Sequence, residues 1–353
     1  MSGYKIRFNG LDRLYDHYKT ELNEAAQQSW QLGSAILGKE TQKLEDNIAK
    51  KYSRQYAVAV GSATDGLYFA LRAAGIGPEH KVFCPVLSYV ATVGAIKRIG
   101  SKIYFHDTEY NGNIGQFIYK DKPDAVVYVN LFGNVAEYDR IKTYCKNNQA
   151  ILIEDAAQSQ GAYYGEIPSG ALGDVSVFSF DPMKNMPSFG SGGMVLTDNK
   201  DIYERVVSLR RHAQHGQSFD YGYNSVISED HAAQLNLLLD HYDELQDDRE
   251  RIANRYYGNL PNKIFIKSNE DTKSSYHKLV MLTDNRDQLR EYLTEQGIET
   301  KIHYAQILDP IHQGLYPVAE NICRQAISLP IYPFLQNKEI DYICEKIKNF
   351  YGI

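Results

Sequence analysis

From residue 56 to about 200 the chain alternates short apolar runs with longer stretches of helical periodicity. The apolar runs at Val58–Val60, Lys81–Cys84, Ile103–Phe105, Ala125–Val129 and Ala150–Ile153 read as buried strands. Between them, Asp65–Ala74, Tyr89–Ile99 and Ala136–Asn147 place apolar residues three and four apart, which predicts helices. Val175–Phe180 and Met194–Thr197 are rich in β-branched and aromatic residues and read as two more strands. Strand–helix alternation of this kind predicts an α/β fold with a mostly parallel sheet and right-handed crossovers.

The flanks are patterned differently. Leu14, Tyr18, Leu22 and Ala25 predict one helical stripe, and Gln42–Tyr52 an amphipathic helix carrying Leu44 and Ile48. Ile202–Arg211 reads as helix and 212–216 as loop. A long helical region from Glu229 to Tyr257 shows one face through Leu235, Leu238, Tyr242 and Leu245. Its charged second half, Asp243–Arg251, marks a hinge between a large α/β domain, 1–249, and a smaller α+β domain, 250–353. The smaller domain is expected to hold strands near Ile264, at His277–Leu282 and at Glu299–Ile302. Its helices are expected at Asp287–Glu295, Val318–Ala326 and Lys338–Phe350.

A length of 353 residues suits two domains with a sizeable core. The net charge of −6, without a long basic run, argues against nucleic acid as a partner. No apolar stretch is long enough to span a bilayer, and the first residues carry no apolar signal core. Cys84, Cys145, Cys323 and Cys344 are scattered without metal-ligand spacing and read as reduced thiols of a cytoplasmic protein. His212 and His215 lack an acid or cysteine at typical spacing, so no metal site is expected.

The chemistry concentrates between Ile151 and Thr197. Ligands bind at the carboxyl ends of strands in open α/β sheets. Those ends offer Asp155, Gln158, Ser179 and, in the turn after Asp181-Pro182, Lys184. A lysine amine among apolar and hydroxyl groups can form a Schiff base with an aldehyde. A carboxylate nearby can keep a pyridine nitrogen protonated, and pyridoxal phosphate (PLP) needs both parts. Any lone lysine is more often a solvated surface residue and any lone aspartate a turn cap; the ordered set is what favours PLP. Upstream, the strand–Gly61–helix junction leaves unpaired N–H groups and about half a positive charge where a phosphate would be stabilised. Taken alone, Ser62 or Thr64 there is an ordinary N-cap.

The blocks EDAAQ (154–158), LGD (172–174), FSF (178–180) and K-N-x(4)-G-x-G-G from Lys184 resemble the DegT/DnrJ/EryC1/StrS family of PLP-dependent nucleotide-sugar aminotransferases. GSATDGL (61–67), CPVLSYVAT (84–92), GYNS (222–225) and LPIYPFL (329–335) follow in that family's order, so the resemblance covers nearly the whole chain. It implies the aspartate-aminotransferase (type I) fold and catalysis by Lys184 and Asp155. It also implies cofactor contacts from Ser62, Ala63, Tyr89 (stacked on the pyridine), Gln158 and Ser179. Asn224 would reach the phosphate in the neighbouring subunit of a homodimer with composite sites. The reactants implied are L-glutamate and a UDP- or dTDP-linked keto-sugar, aminated at C4 or C3, for an amino sugar of surface polysaccharide.

The chain departs from the family in several places. Val226 stands for the arginine of GxNxR, Ser191 for an acid in the Gly-rich turn, Asn130 for a frequent histidine, and His231 near the usual glutamine. HYAQILDPIHQ resembles the family's His-Tyr-Pro block with Ala305 for proline, making His303, Tyr304 and His312 substrate-side candidates. Lys184 argues against the family's dehydratase branch, which has histidine there. Lys184, Asp155 and Gln158 together argue against a catalytically silent relative. The lack of GxGxxG after a strand argues against a dinucleotide-dependent oxidoreductase.

Overall fold

The computed structural model describes residues 3–31, 33–213 and 222–352; His215, one of the two histidines weighed for a metal, lies outside them. Three N-terminal helices, α1 (Leu11–His17), α2 (Lys19–Gln31) and α3 (Lys39–Lys51), precede the sheet. Their buried stripe runs through Leu14, Tyr18 and Leu22 and continues at Ala26 rather than Ala25. The chain breaks between α1 and α2 at Tyr18, which shifts the phase of the second helix.

The main sheet draws on β1 (Tyr56–Val60), β2 (Lys81–Pro85), β3 (Lys102–His106), β4 (Ala125–Val129) and β5 (Ile151–Asp155). Two two-residue strands, β6 (Tyr163–Tyr164) and β7 (Ile167–Pro168), form a small hairpin, and β8 (Val175–Ser179) and β9 (Gly193–Thr197) complete the main sheet. Its order is β1-β9-β8-β5-β4-β2-β3. Strand β9 runs antiparallel to both neighbours, and the other pairings are parallel. The connecting helices are α4 (Ala63–Ala73), α5 (Val90–Ile99), α6 (Tyr138–Asn148) and α7 (Lys200–Leu209). One face of the sheet packs on α4, α5 and α7 through residues such as Val127, Ile153, Phe69 and Val206. The other face carries a second core, with Leu152, Tyr128 and Ile141, beside a third built on α2, α3 and α8 (Glu229–Asp240). Both faces are covered, which is why these strands read as near-continuous apolar runs.

The long helical region is two helices. It breaks at His241, between α8 and α9 (Tyr242–Asn259). The expected 249/250 division falls inside α9: Leu245 packs into the α2–α3–α8 core, and Ile252 packs with the C-terminal residues. Ile6 joins that C-terminal core from the other end of the chain. Beyond it lie β10 (Thr272–Lys273), paired with β6, then β11 (Leu279–Leu282), α10 (Arg286–Glu295), α11 (Pro317–Gln325), β12 (Ala326–Leu329) and α12 (Asn337–Tyr351). Residues 299–302 do not form the expected strand; Lys301 makes one isolated pairing with Ser328, on the edge of β12 facing away from β11, and Glu299 N bonds Ile6 O at 2.9 Å instead. Near Ile264 a 3-10 turn, Asn262–Ile264, replaces the strand.

Candidate active site

Glu154 and Asp155 show how the sheet sorts its side chains. Successive residues of a strand face opposite sides. Glu154 turns toward the α6 side and is fully buried. Its carboxylate accepts from Asn130 Nδ2 (2.9 Å), Ser169 Oγ (2.7 Å), Gly170 N (3.0 Å), Leu172 N (3.1 Å) and Ser176 Oγ (2.6 Å). Asn130, whose role the sequence left open, is thereby a structural link: its Oδ1 also accepts from Ala136 N at 3.0 Å. Asp155 turns to the α4–α5 side, at the end of β5, and lines a cavity of about 520 Å³.

This cavity gathers most of the residues singled out from sequence: Ser62, Ala63, Tyr89, Asp155, Gln158, Ser179, Lys184, His303 and Tyr304. Each is held by local structure. Thr92 Oγ1 donates to Asp155 Oδ2 at 2.7 Å, and Ala157 N to Oδ1 at 3.2 Å. Burial raises the Asp155 pKa above the usual carboxylate range, against the lowering pull of those two bonds and of Lys184. Lys184 sits in a turn closed by its own N–H on Asp181 O at 2.9 Å. Burial lowers its pKa, while Asp155 and Asp181 oppose the shift. Gln158 is fixed at both ends: Phe132 N donates to its Oε1 at 3.0 Å, and its Nε2 donates to Tyr304 Oη at 3.0 Å. Tyr89 is the N-cap residue of α5, more than half exposed at the cavity, with its ring 6.3 Å from that of Tyr304.

Across the cavity, Ser62 caps α4, accepting from Asp65 N at 3.2 Å. So the plain capping role holds, and the Ser62 and Ala63 backbone lies at the cavity as well. The Gly-rich turn makes room for this helix start. A Cβ on Gly193 would lie 2.6 Å from Ala63 N, and one on Gly190 only 2.2 Å from the His231 ring. The glycines therefore allow two close approaches, and His231 fills the space beside the turn.

Two candidates lie elsewhere. Asn224 is exposed, in an isolated pairing with Arg211, and does not line this cavity. His312 bonds Asp309 through Nδ1 at 2.9 Å, also outside the lining. The structure adds residues that sequence reasoning passed over: Thr92, Asp181, His277 and Lys278. His277 Nδ1 pairs with Asn185 Oδ1 at 3.1 Å, and burial drives its pKa well down. His303, bonded to Ser328 Oγ at 2.8 Å, is pushed down to about 3 by burial. Both rings are therefore neutral at pH 7. The one signal for Lys278 was a charged residue inside the apolar run His277–Leu282. Among the described residues no cluster of three or more His, Cys, Asp or Glu is placed to hold a metal.

A model of the DegT/DnrJ/EryC1/StrS aminotransferase family matches residues 16–348. The chain is 31% identical over 352 residues to a GDP-perosamine synthase of Escherichia coli O157:H7, covering 95% of each protein. It is 30% identical over 364 residues to a pleiotropic regulatory protein of Geobacillus stearothermophilus, covering 97% of each. Among solved structures it resembles S. venezuelae DesV in complex with a ketimine intermediate, with 28% identity, a TM-score of 0.94 and 99% of each chain covered.

Proposed function

The chain belongs to the DegT/DnrJ/EryC1/StrS aminotransferase family, and from that premise we propose that it moves an amino group from L-glutamate to the keto carbon of a nucleotide-linked sugar, with PLP as cofactor. The observation that carries the reading is the meeting of Lys184 and Asp155 in one cavity with the start of α4. The residues fit the cofactor. A buried carboxylate, a buried amine and a helix start freed by Gly193 are the acid, base and anion-binding parts it requires.

Lys184 Nζ would hold the cofactor covalently, Asp155 would face its ring nitrogen, and Gln158 its ring hydroxyl. Ser62, Ala63 and Ser179 would take its phosphate, and Tyr89 would cover the ring. When bound, PLP supplies an electron sink for bond changes at the amino-bearing carbon. Lys184 Nζ, with its pKa lowered by burial, accepts the proton from Cα of glutamate and returns a proton when the sugar is aminated. Asp155, clamped by Thr92 and Ala157, keeps a negative charge fixed in place. The two half-reactions share one site, so the kinetics are ping-pong.

The site is composite in this reading, completed in a homodimer by Asn224 of the second copy. Its support is that Asn224 is exposed and off its own cavity, and that Tyr89 and Val90 are exposed at the start of α5. The C-terminal part from residue 250 acts as a small domain, bringing His303 and Tyr304 to the sugar side. The four cysteines are unpaired and buried, which suits the reducing cytoplasm, and no described helix is long and apolar enough to cross a membrane.

The test is to incubate the PLP-loaded protein with glutamate and a panel of UDP-, dTDP- and GDP-linked 3-keto and 4-keto sugars. Amino-sugar and 2-oxoglutarate in equal amounts are expected, with 4-keto sugars the better acceptors. Turnover of small keto acids alone would defeat the sugar assignment. No 2-oxoglutarate at all would favour a regulatory role like the one the Geobacillus stearothermophilus relative's name states.

A further inference from the structure

The cavity holds a second lysine, Lys278, that the proposed chemistry does not use. Its charged lining among the described residues is Lys184, Lys278, Asp155 and Asp181; no described arginine lines it. Lys278 stands just before β11 on a pinned backbone: its N–H donates to Phe132 O at 3.0 Å, and Ser275 N donates to Gly133 O at 2.9 Å. Its Nζ lies 5.0 Å from the centre of the Phe8 ring. It makes no ion pair with any described residue, although Asp181 lines the same cavity.

Burial without an anionic partner disfavours the charged form of a lysine, and a bound anion restores it. Glutamate brings two carboxylates into this cavity, where Asp155 and Asp181 repel them. His277 and His303 are neutral and offer at most a hydrogen bond. With Lys184 committed to the reaction, Lys278 is the one other lysine among the described residues that line the cavity. Resting on the aminotransferase reading above, we propose that Lys278 Nζ binds a reactant carboxylate, that of the amino donor or of an acidic nucleotide-sugar. A proton signature accompanies this role. Burial, Lys184 and Arg249 lower the Lys278 pKa, with Asp181 opposing, and His277 and His303 stand beside it. A bound carboxylate reverses part of that shift, so binding takes up a proton and weakens as pH rises.

The experiment is calorimetric titration of the PLP-loaded protein with glutarate, a dicarboxylate with no amine to react, and separately with UDP-glucuronate. In Lys278→Met affinity should fall at least about tenfold, roughly 1.4 kcal/mol, and Lys278→Arg should restore most of it. Loss for glutarate alone assigns the donor carboxylate; loss for UDP-glucuronate alone assigns an acidic sugar. Wild-type affinity for both in Lys278→Met overturns the proposal. So does a wild-type protein that binds neither, or binds without proton uptake, a measurement that needs no variant to fold. A wild-type protein that shows the Lys278 dependence yet forms no 2-oxoglutarate from glutamate fails the aminotransferase reading while leaving this one standing.

Discussion

Replacing Glu154 by glutamine separates the two adjacent acids of β5. Among the described residues no cation touches the Glu154 carboxylate; Arg54 lies one layer out, with its Nη2 on Ser176 Oγ at 3.0 Å. Five donors converge on it within 3.1 Å. In the amide, Ser169 and Ser176 can turn to accept. A backbone N–H cannot, so either Leu172 N or Asn130 Nδ2 loses its acceptor. An orphaned buried donor costs about 1–3 kcal/mol, and each remaining bond loses about 1 kcal/mol of charge assistance. Relief of burying a charge offsets part of this. The net expectation is a loss of about 2–4 kcal/mol, or roughly 3–5 °C in unfolding midpoint. The assay is thermal and urea unfolding of the cofactor-free protein, beside the glutamate half-reaction measured well below the transition. Glu154→Gln should be less stable yet react within a few-fold of wild type. A variant as stable as wild type that has lost the half-reaction would refute the reasoning and make Glu154 the functional acid.

The neighbouring change, Asp155→Asn, should do the reverse. A charge at this range shifts a pKa by about 1–3 units, so the half-reaction should slow roughly 10- to 1,000-fold, while the unfolding midpoint does not drop, because burial already disfavours the charge. Mixing Lys184→Ala with Asn224→Asp subunits, each inactive alone, should restore part of the activity; no recovery from a mixture shown to exchange subunits would count against composite sites. His106 is buried, with Nδ1 against Gln116 O at 3.2 Å and its pKa pushed down to about 4. It is neutral when folded and charged when unfolded below about pH 6.5, so its contribution is present above that pH and lost toward pH 4, about 1.4 kcal/mol per unit. Urea unfolding from pH 7 to 4 should show this slope, and His106→Phe should flatten it by about one proton; an unchanged slope would contradict the assignment.

The sequence was most legible where function and periodicity coincide. Asp155 ends an apolar strand, Lys184 follows another, and both are where an open sheet exposes its strand ends. The site's supporting contacts were not legible because they join residues far apart. Asn130 meets Glu154 and Ser169, 24 and 39 residues on. Thr92 reaches Asp155 across 63, and a hydroxyl inside a helix announces nothing by itself. Lys278 falls within the stretch His277–Leu282 expected as strand, and nothing in that pattern shows its backbone bond to Phe132 O at 3.0 Å or its place in the cavity lining. Residues 299–302 have strand composition, yet only Lys301 pairs with β12, on the edge facing away from β11, and Glu299 N is taken by Ile6 O from the other end of the chain.

The central claim is that Lys184, and not the second lysine of the same cavity, carries the cofactor. The direct measurement is borohydride reduction of the PLP-loaded protein followed by peptide mass mapping. The account predicts one pyridoxyl adduct per chain, on the peptide containing Lys184, absent from Lys184→Ala. An adduct on the Lys278 peptide, or PLP retained without any reducible link in the wild-type protein, would contradict it.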